Sequence, residues 1–100
     1  MILRLYGQGH ALQRGTPGYA ELLPQFGSEP VGARQIVLLD VDLVQTSCGY
    51  GVPLYDYRDN RESLIRWAES KGEEGLEAYR REKNSRSIDG LPTAIAAAAE

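Results

Sequence analysis

The side chains in this chain best suited to chemistry gather at one place. Gln45, Thr46, Ser47 and Cys48 run directly into Gly49, Tyr50, Gly51 and, after Val52, Pro53. Amide, hydroxyl and thiol groups followed by paired glycines describe a tight turn that exposes backbone as well as side chains. Cys48 admits two readings there: a nucleophile whose thiolate is stabilised by backbone N–H groups, or a packed or ligand-facing thiol. No basic residue stands near it in sequence, which favours the second. His10 is the only histidine, so one chain cannot assemble a histidine pair or a His/Cys metal cluster, and it reads as a partly exposed strand residue. Asp40 and Asp42 share a strand face. They would act as a pair in acid catalysis, but alternating acids on a half-exposed strand are better read as its solvated face or as partners of Arg4 and Arg34. Gly7, Gly9, Gly49 and Gly51 match neither a phosphate-binding loop nor a dinucleotide fingerprint, because no helix with the required residues follows them. Tyr50, Tyr55, Tyr57 and Trp67 suit either a flat ligand or a core or subunit interface.

The elements that must position this turn follow from hydrophobic pattern. Within residues 34–53, Ile36, Val37, Leu38, Leu39 and Val41 predict a central strand buried on both faces. From Leu39 the pattern alternates, with Leu39, Val41 and Leu43 on one side and Asp40 and Asp42 on the other. Residues 1–13 predict a second strand in which Leu3 and Leu5 share a face opposite Arg4 and Tyr6. Gly7 and Gly9 interrupt it where a bulge or a close backbone approach would fit, and His10 resumes it. Thr16 and Pro17 open a short helix whose shared face is Tyr19, Leu22, Leu23 and Phe26, and Pro24 limits it. Residues 27–32 form a loop. Residues 52–57 alternate well enough for a short strand. Asp59 or Asn60 then caps a helix, with Glu62 reaching back and Leu64, Ile65, Trp67 and Ala68 on its buried side. Gly72 closes that helix, and another runs from Glu73 to about Lys83, with Asn84 as its stop. Its acids at the start and bases at the end both favour the helix dipole. Residues 85–92 are turn-rich. The Ala-rich tail, 93–100, is too short to hold a helix alone and is expected to be flexible.

Composition limits the classes available. One hundred residues with a net charge of −3 and 25% charged residues describe one ordinary globular domain, expected over 1–92, and argue against a general nucleic-acid or anionic-membrane binder. No stretch has membrane-spanning length, the N-terminus lacks the marks of a signal peptide, and a single cysteine suits the reducing cytoplasm. A strand at the very start of the chain suggests descent from a larger unit. Strands followed by amphipathic helices give an α+β class, and a sheet this small leaves open edges that a symmetric partner would cover, so a homodimer is expected.

Three segments carry a resemblance to a known family: ILRLYGQGHAL from Ile2, RQIVLLDVDLVQTSCGYGVPL from Arg34, and LIRWAESKGEEGLEAYRREKNSRSIDGLP ending at Pro92. Together they resemble the C-terminal half of a pyridoxamine 5′-phosphate oxidase-like family of FMN-binding split-barrel proteins. The most specific parts are VQTSCGYGVP, residues 44–53, and KNSRSIDGLP, residues 83–92. The resemblance implies half of a split β-barrel with two C-terminal helices, completed by dimerisation, with FMN at the subunit interface and flavin-dependent oxidoreductase chemistry. It implies that Ser47, Cys48, Gly49, Tyr50 and Gly51 line the isoalloxazine end of that site, with Arg86 in the second signature. Arg86 and Asp89 would order the C-terminal segment over the dimer, or Asp89 and Gly90 would simply stabilise a turn. In such proteins the basic residues that grip the FMN phosphate come from strands preceding the equivalent of Met1, leaving Arg4, Arg14 and Arg86 as the candidates here. The alternative is a cofactor-free dimerisation module without catalysis of its own.

Overall fold

The computed structural model describes residues 1–97, and its elements are of the expected α+β class. They run β1 (Ile2–Gln13), α1 (Pro17–Leu22), a 3₁₀ turn (Leu23–Phe26), β2 (Gln35–Ser47), α2 (Ser63–Asn84) and α3 (Ala94–Ala97). The described chain forms two compact units: Met1–Gly27 with Arg34–Asn60, and Ser28–Ala33 with the chain from Arg61 onward.

The first unit is an antiparallel ribbon of β1 and β2 with α1 at one end. Pairing runs from Ile2 opposite Ser47 to Gln13 opposite Gln35, and the register shifts between Tyr6 and Gly7. Tyr6 opposes Leu43 and Gly7 opposes Val41, which leaves Asp42 as the extra residue of a β-bulge. Glycine is required at the bulge because a Cβ on Gly7 would lie 1.8 Å from the Asp40 carbonyl oxygen. The interruption read from the glycines is therefore a bulge and a close backbone approach at once.

The bulge changes which residues share a face. Before it, Val37, Leu39 and Val41 lie on one side of β2; past Asp42 that side continues with Val44 and Thr46, while Leu43 joins the side of Asp40. The alternation read from sequence, with Leu43 beside Leu39 and Val41, is corrected by this one extra residue. One face of the ribbon now carries Leu3, Leu5, Val37, Leu39, Val41 and Val44. These residues are exposed, so the expectation of a central strand buried on both faces is also corrected. Among the described residues the sheet has two strands, and no second sheet packs on that face.

Gln13, Thr16 and Pro17 turn the chain into α1. The Thr16 hydroxyl accepts from the Tyr19 N–H at 3.5 Å and donates to the Gln13 carbonyl at 2.7 Å, and Pro17 occupies the first turn. Gly18 packs over the Leu12 side chain, and Tyr19 is buried. Leu22 and Leu23 are half-buried, but Phe26, expected on the same face, is exposed because the 3₁₀ turn that contains Pro24 changes the helical spacing and rotates it away. Residues 52–57, expected as a short strand, lie outside any strand: among the described residues no edge pairs with them.

In the second unit α2 begins at Ser63, later than a cap at Asp59 or Asn60 would place it. Among the described residues Asp59 accepts only from the Asn60 N–H, and Glu62 accepts from Arg66 at 2.7 Å instead of reaching back to a cap. Gly72 breaks the helix at φ 67°, ψ 173°, a backbone region essentially reserved for glycine. In a straight helix the twelve-residue separation of Trp67 and Tyr79 would span about 18 Å. Their rings instead meet edge to face at 5.0 Å, so the two helical segments fold back on each other. Lys71 lies 5.8 Å above the Trp67 ring. Ala68 and Leu76 are the buried aliphatics of this unit, whereas Leu64 and Ile65, expected on the buried side, are exposed.

The 28–33 loop seats on this hairpin. A Cβ on Gly32 would come within 3.1 Å of the Ala68 methyl, and Arg80 donates to the Gly32 and Ala33 carbonyls at 2.7 and 3.3 Å. After Asn84, which ends α2 as expected, Thr93 binds back to the Asn84 and Ser85 carbonyls and launches the single turn α3. The tail expected to be flexible thus begins with a helical turn, and its last residues, 98–100, lie outside the described residues.

Gly7→Ala is expected to lower stability by about 2–3 kcal/mol, the upper range for a strained backbone site, while Gly9→Ala, which meets open space, changes it by less than about 0.5 kcal/mol. Thermal unfolding followed by circular dichroism measures both. Arg80→Ala removes a charged donor from two loop carbonyls and is expected to cost about 1.5 kcal/mol. Urea unfolding followed by Trp67 fluorescence reads that change.

Candidate functional site

The polar face of the ribbon is built by period-two spacing on β1 and by the bulge on β2. Arg4, Tyr6, Gln8 and His10 project from one side of β1, and the bulge brings Gln45 and Ser47 onto that same side. Three cross-strand contacts result. The Arg4 guanidinium donates to Ser47 Oγ at 2.6 Å, the Tyr6 hydroxyl donates to Gln45 Oε1 at 3.2 Å, and His10 Nε2 lies 2.9 Å from Asp40 Oδ2. Without the extra residue at Asp42, Gln45 and Ser47 would fall on the apolar face and none of the first two contacts would form.

Ser47 closes β2 and is half-buried, with Cys48 exposed beside it. The chain then turns at Gly49, whose φ of 75° admits glycine far more readily than any other residue, and the Val52 N–H closes the turn on the Gly49 carbonyl at 3.0 Å. A Cβ on Gly49 would come 3.5 Å from the Ile2 side chain and 3.6 Å from the Met1 nitrogen, so the turn lies close against the start of β1. Tyr50, 93% exposed, and Gly51 stand at the tip. Ser47, Cys48, Gly49, Tyr50 and Gly51 thus form one continuous turn, with Arg4 at its base. Arg86 belongs to the second unit, where its guanidinium donates to the Gly90 carbonyl at 3.0 Å and its backbone bridges to Pro92. Ser87 binds Asp89 and Leu91 in the same loop, so the turn reading of Asp89 and Gly90 holds locally.

Arg4 was legible only as a lone cation, and its place beside Ser47 was not, because that contact depends on register. Of the two readings of Asp40, a solvated face or a partner of Arg4 or Arg34, its 70% exposure agrees with the first, and the side chain it meets is His10. The signal available in sequence was the run of polar residues at every second position of β1, from Arg4 to His10. Chemically the arrangement offers the remaining N–H donors of the Arg4 guanidinium and the Ser47 hydroxyl beside an open glycine turn. That set suits binding of an anionic or carbonyl-rich ligand. His10 and Asp40 are 52% and 70% exposed, which gives them the character of a solvated surface pair. Among the described residues no group of three His, Cys, Asp or Glu side chains could hold a metal ion, and no helix is long and apolar enough to cross a membrane.

Comparison with known proteins agrees with the resemblance read from the sequence. Over an alignment of 107 positions the chain is 38% identical to the pyridoxamine 5′-phosphate oxidase family protein ustO of Aspergillus flavus, a match that covers 91% of this chain. The chain spans 42% of the length of that curated relative. No family model matches the chain. No solved structure matches it.

Because the His10–Asp40 pair is largely exposed, His10→Gln and Asp40→Asn are each expected to change stability by less than about 1 kcal/mol at neutral pH. Chemical denaturation of the two variants beside the parent protein checks this.

Proposed function

We propose that this chain is part of a pyridoxamine 5′-phosphate oxidase family protein that binds FMN at an interface between two copies and serves flavin-dependent oxidoreductase chemistry. The observation that carries the reading is the 38% identity to a protein of that family across 91% of the chain. In this reading the ribbon is half of a split β-barrel, completed by the partner copy, and the protein works in the cytoplasm. Ser47, Cys48, Gly49, Tyr50 and Gly51 contact the flavin, and Arg86 contributes from the C-terminal signature.

The residues present fit one end of such a site. FMN carries a phosphate and a carbonyl-rich ring, and both call for N–H and O–H donors or cations. Arg4 and Ser47, 2.6 Å apart at the base of an exposed glycine turn, supply these. Tyr50 supplies an aromatic surface open to a flat ring. When bound, FMN supplies the electron-accepting and electron-donating chemistry, which no side chain of this chain provides. The protein groups have the task of binding and orientation. Arg4 holds Ser47 in place, and the left-handed Gly49 keeps the 49–52 turn compact enough to leave the ribbon face open.

A second reading, a cofactor-free dimerisation module, is favoured by the apolar ribbon face of Leu3, Leu5, Val37, Leu39, Val41 and Val44, which asks for a protein cover but not for a cofactor. One experiment separates the two readings. Purified protein titrated with FMN is expected to become yellow and to quench flavin fluorescence, and Ser47→Ala and Tyr50→Ala are each expected to weaken the affinity about tenfold, the loss of about 1.4 kcal/mol of contact. No retention or binding of FMN leaves the dimerisation module. Binding that neither substitution alters moves the flavin away from the turn.

A further inference from the structure

After the glycine turn, residues 53–60 belong to no helix, strand or turn and are exposed, with no strand partner among the described residues. Leu54, Tyr55 and Tyr57 are 100%, 85% and 77% exposed, unusual for three large apolar or aromatic side chains in one short segment. The order of residues is Leu54, Tyr55, Asp56, Tyr57, Arg58, Asp59 and Asn60. Neither Asp56 nor Arg58 is engaged in an ion pair or hydrogen bond among the described residues.

This order is self-complementary about Tyr57. Laid antiparallel on a second copy of itself with Tyr57 opposite Tyr57, the segment sets Asp56 opposite the second copy's position 58, an arginine, and Arg58 opposite its position 56, an aspartate. Tyr55 falls opposite position 59 and diagonal to the second copy's Tyr57, within reach of an aromatic side chain. Alternation then puts Tyr55, Tyr57 and Asp59 of both copies on one side of the pair, and the compensated Asp56 and Arg58, with Leu54 and Asn60, on the other. A two-fold pairing of this kind is isologous and closes on itself, leaving no surface to propagate. Shifting the register by two residues in either direction loses the match: it places Asp56 opposite Asp56 or Arg58 opposite Arg58.

We propose that residues 54–60 form an intermolecular antiparallel β-pair with the same segment of a second copy, centred on Tyr57 and held in register by two Asp56–Arg58 contacts. This specifies the contact for the homodimer proposed above and rests on that self-association, but not on flavin binding. The segment fails to form a strand within one chain because its partner is its own symmetry mate. Proline at 53 marks the entry, where a missing N–H is tolerated at the first residue of a strand.

The charges make the test specific. Sedimentation velocity of the full chain at micromolar concentrations is expected to show a dimer. Asp56→Arg and Arg58→Asp, each alone, set like charges opposite one another and are expected to weaken self-association at least tenfold. An equimolar mixture of the two variants, and the double variant D56R/R58D, restore opposite charges at both positions and are expected to recover the dimer. In a Cys48→Ser background, Tyr57→Cys places the thiols of the two copies at the symmetry centre, where directly opposed Cα atoms lie about 4.5–5.5 Å apart, within disulfide range. Oxidation is expected to link that variant at least tenfold faster than Ile88→Cys in the same background, Ile88 being fully exposed in a different loop. A dimer that persists unchanged in both single-charge variants, or equal crosslinking at the two positions, overturns the pairing while leaving self-association standing. A parent chain that stays monomeric overturns both.

Discussion

The arrangement of this ribbon depends on one close contact, the approach of the Gly7 backbone to the Asp40 carbonyl, and on the bulge that the contact accompanies. A strand alternates with a period of two, so one inserted residue transfers everything beyond it to the opposite face. Asp42 is that residue. Beyond it Leu43 leaves the side of Val41, Val44 takes its place, and Gln45 and Ser47 arrive beside Tyr6 and Arg4. The gathering of Arg4, Tyr6, Gln45 and Ser47 on one face, beside Leu43, and the delivery of the glycine turn from that face both follow from a site where no side chain fits.

The second constraint is burial. Among the described residues the buried apolar side chains are Tyr19, Ala68 and Leu76, while most of the aliphatic residues of both strands are exposed. Isolated two-stranded sheets are marginal in water, and exposed strand edges readily pair with another chain. The helical hairpin of the second unit has a more self-sufficient design. The Gly72 bend, the Trp67–Tyr79 contact and the Arg80 clip on the 28–33 loop are all made within it. The demand for a covering partner therefore falls on the ribbon, the part of the chain that also carries the glycine turn. This is why the flavin site and the interface between copies are proposed together.

The relative named as a pyridoxamine 5′-phosphate oxidase family protein extends well beyond the matched region, as the 42% coverage states. The exposed strand residues of the ribbon are the surface for which a covering second copy is proposed. The proposed self-pairing of residues 54–60 would act at a place distinct from the apolar ribbon face, on a segment whose charges, rather than its burial, choose the partner.

Local features were legible in the sequence wherever local chemistry decides them. Thr16 and Pro17 start a helix because one caps an orphan N–H and the other has no N–H to lose; Gly72 and Asn84 mark helix ends; and paired glycines after Ser47 and Cys48 make a turn. The family resemblance was likewise carried by the order of residues alone. Tertiary structure decided what depends on contacts distant along the chain. The bulge fell at Asp42 although the glycine that permits it stands at position 7, and so Leu43 changed face and Arg4 met Ser47 rather than an aspartate. Burial was misread at Val37 and Leu38, though Ile36 is half-buried, and at Leu64 and Ile65 for the same reason: hydrophobic pattern states which side chains prefer cover, and only the packing of other elements determines which receive it.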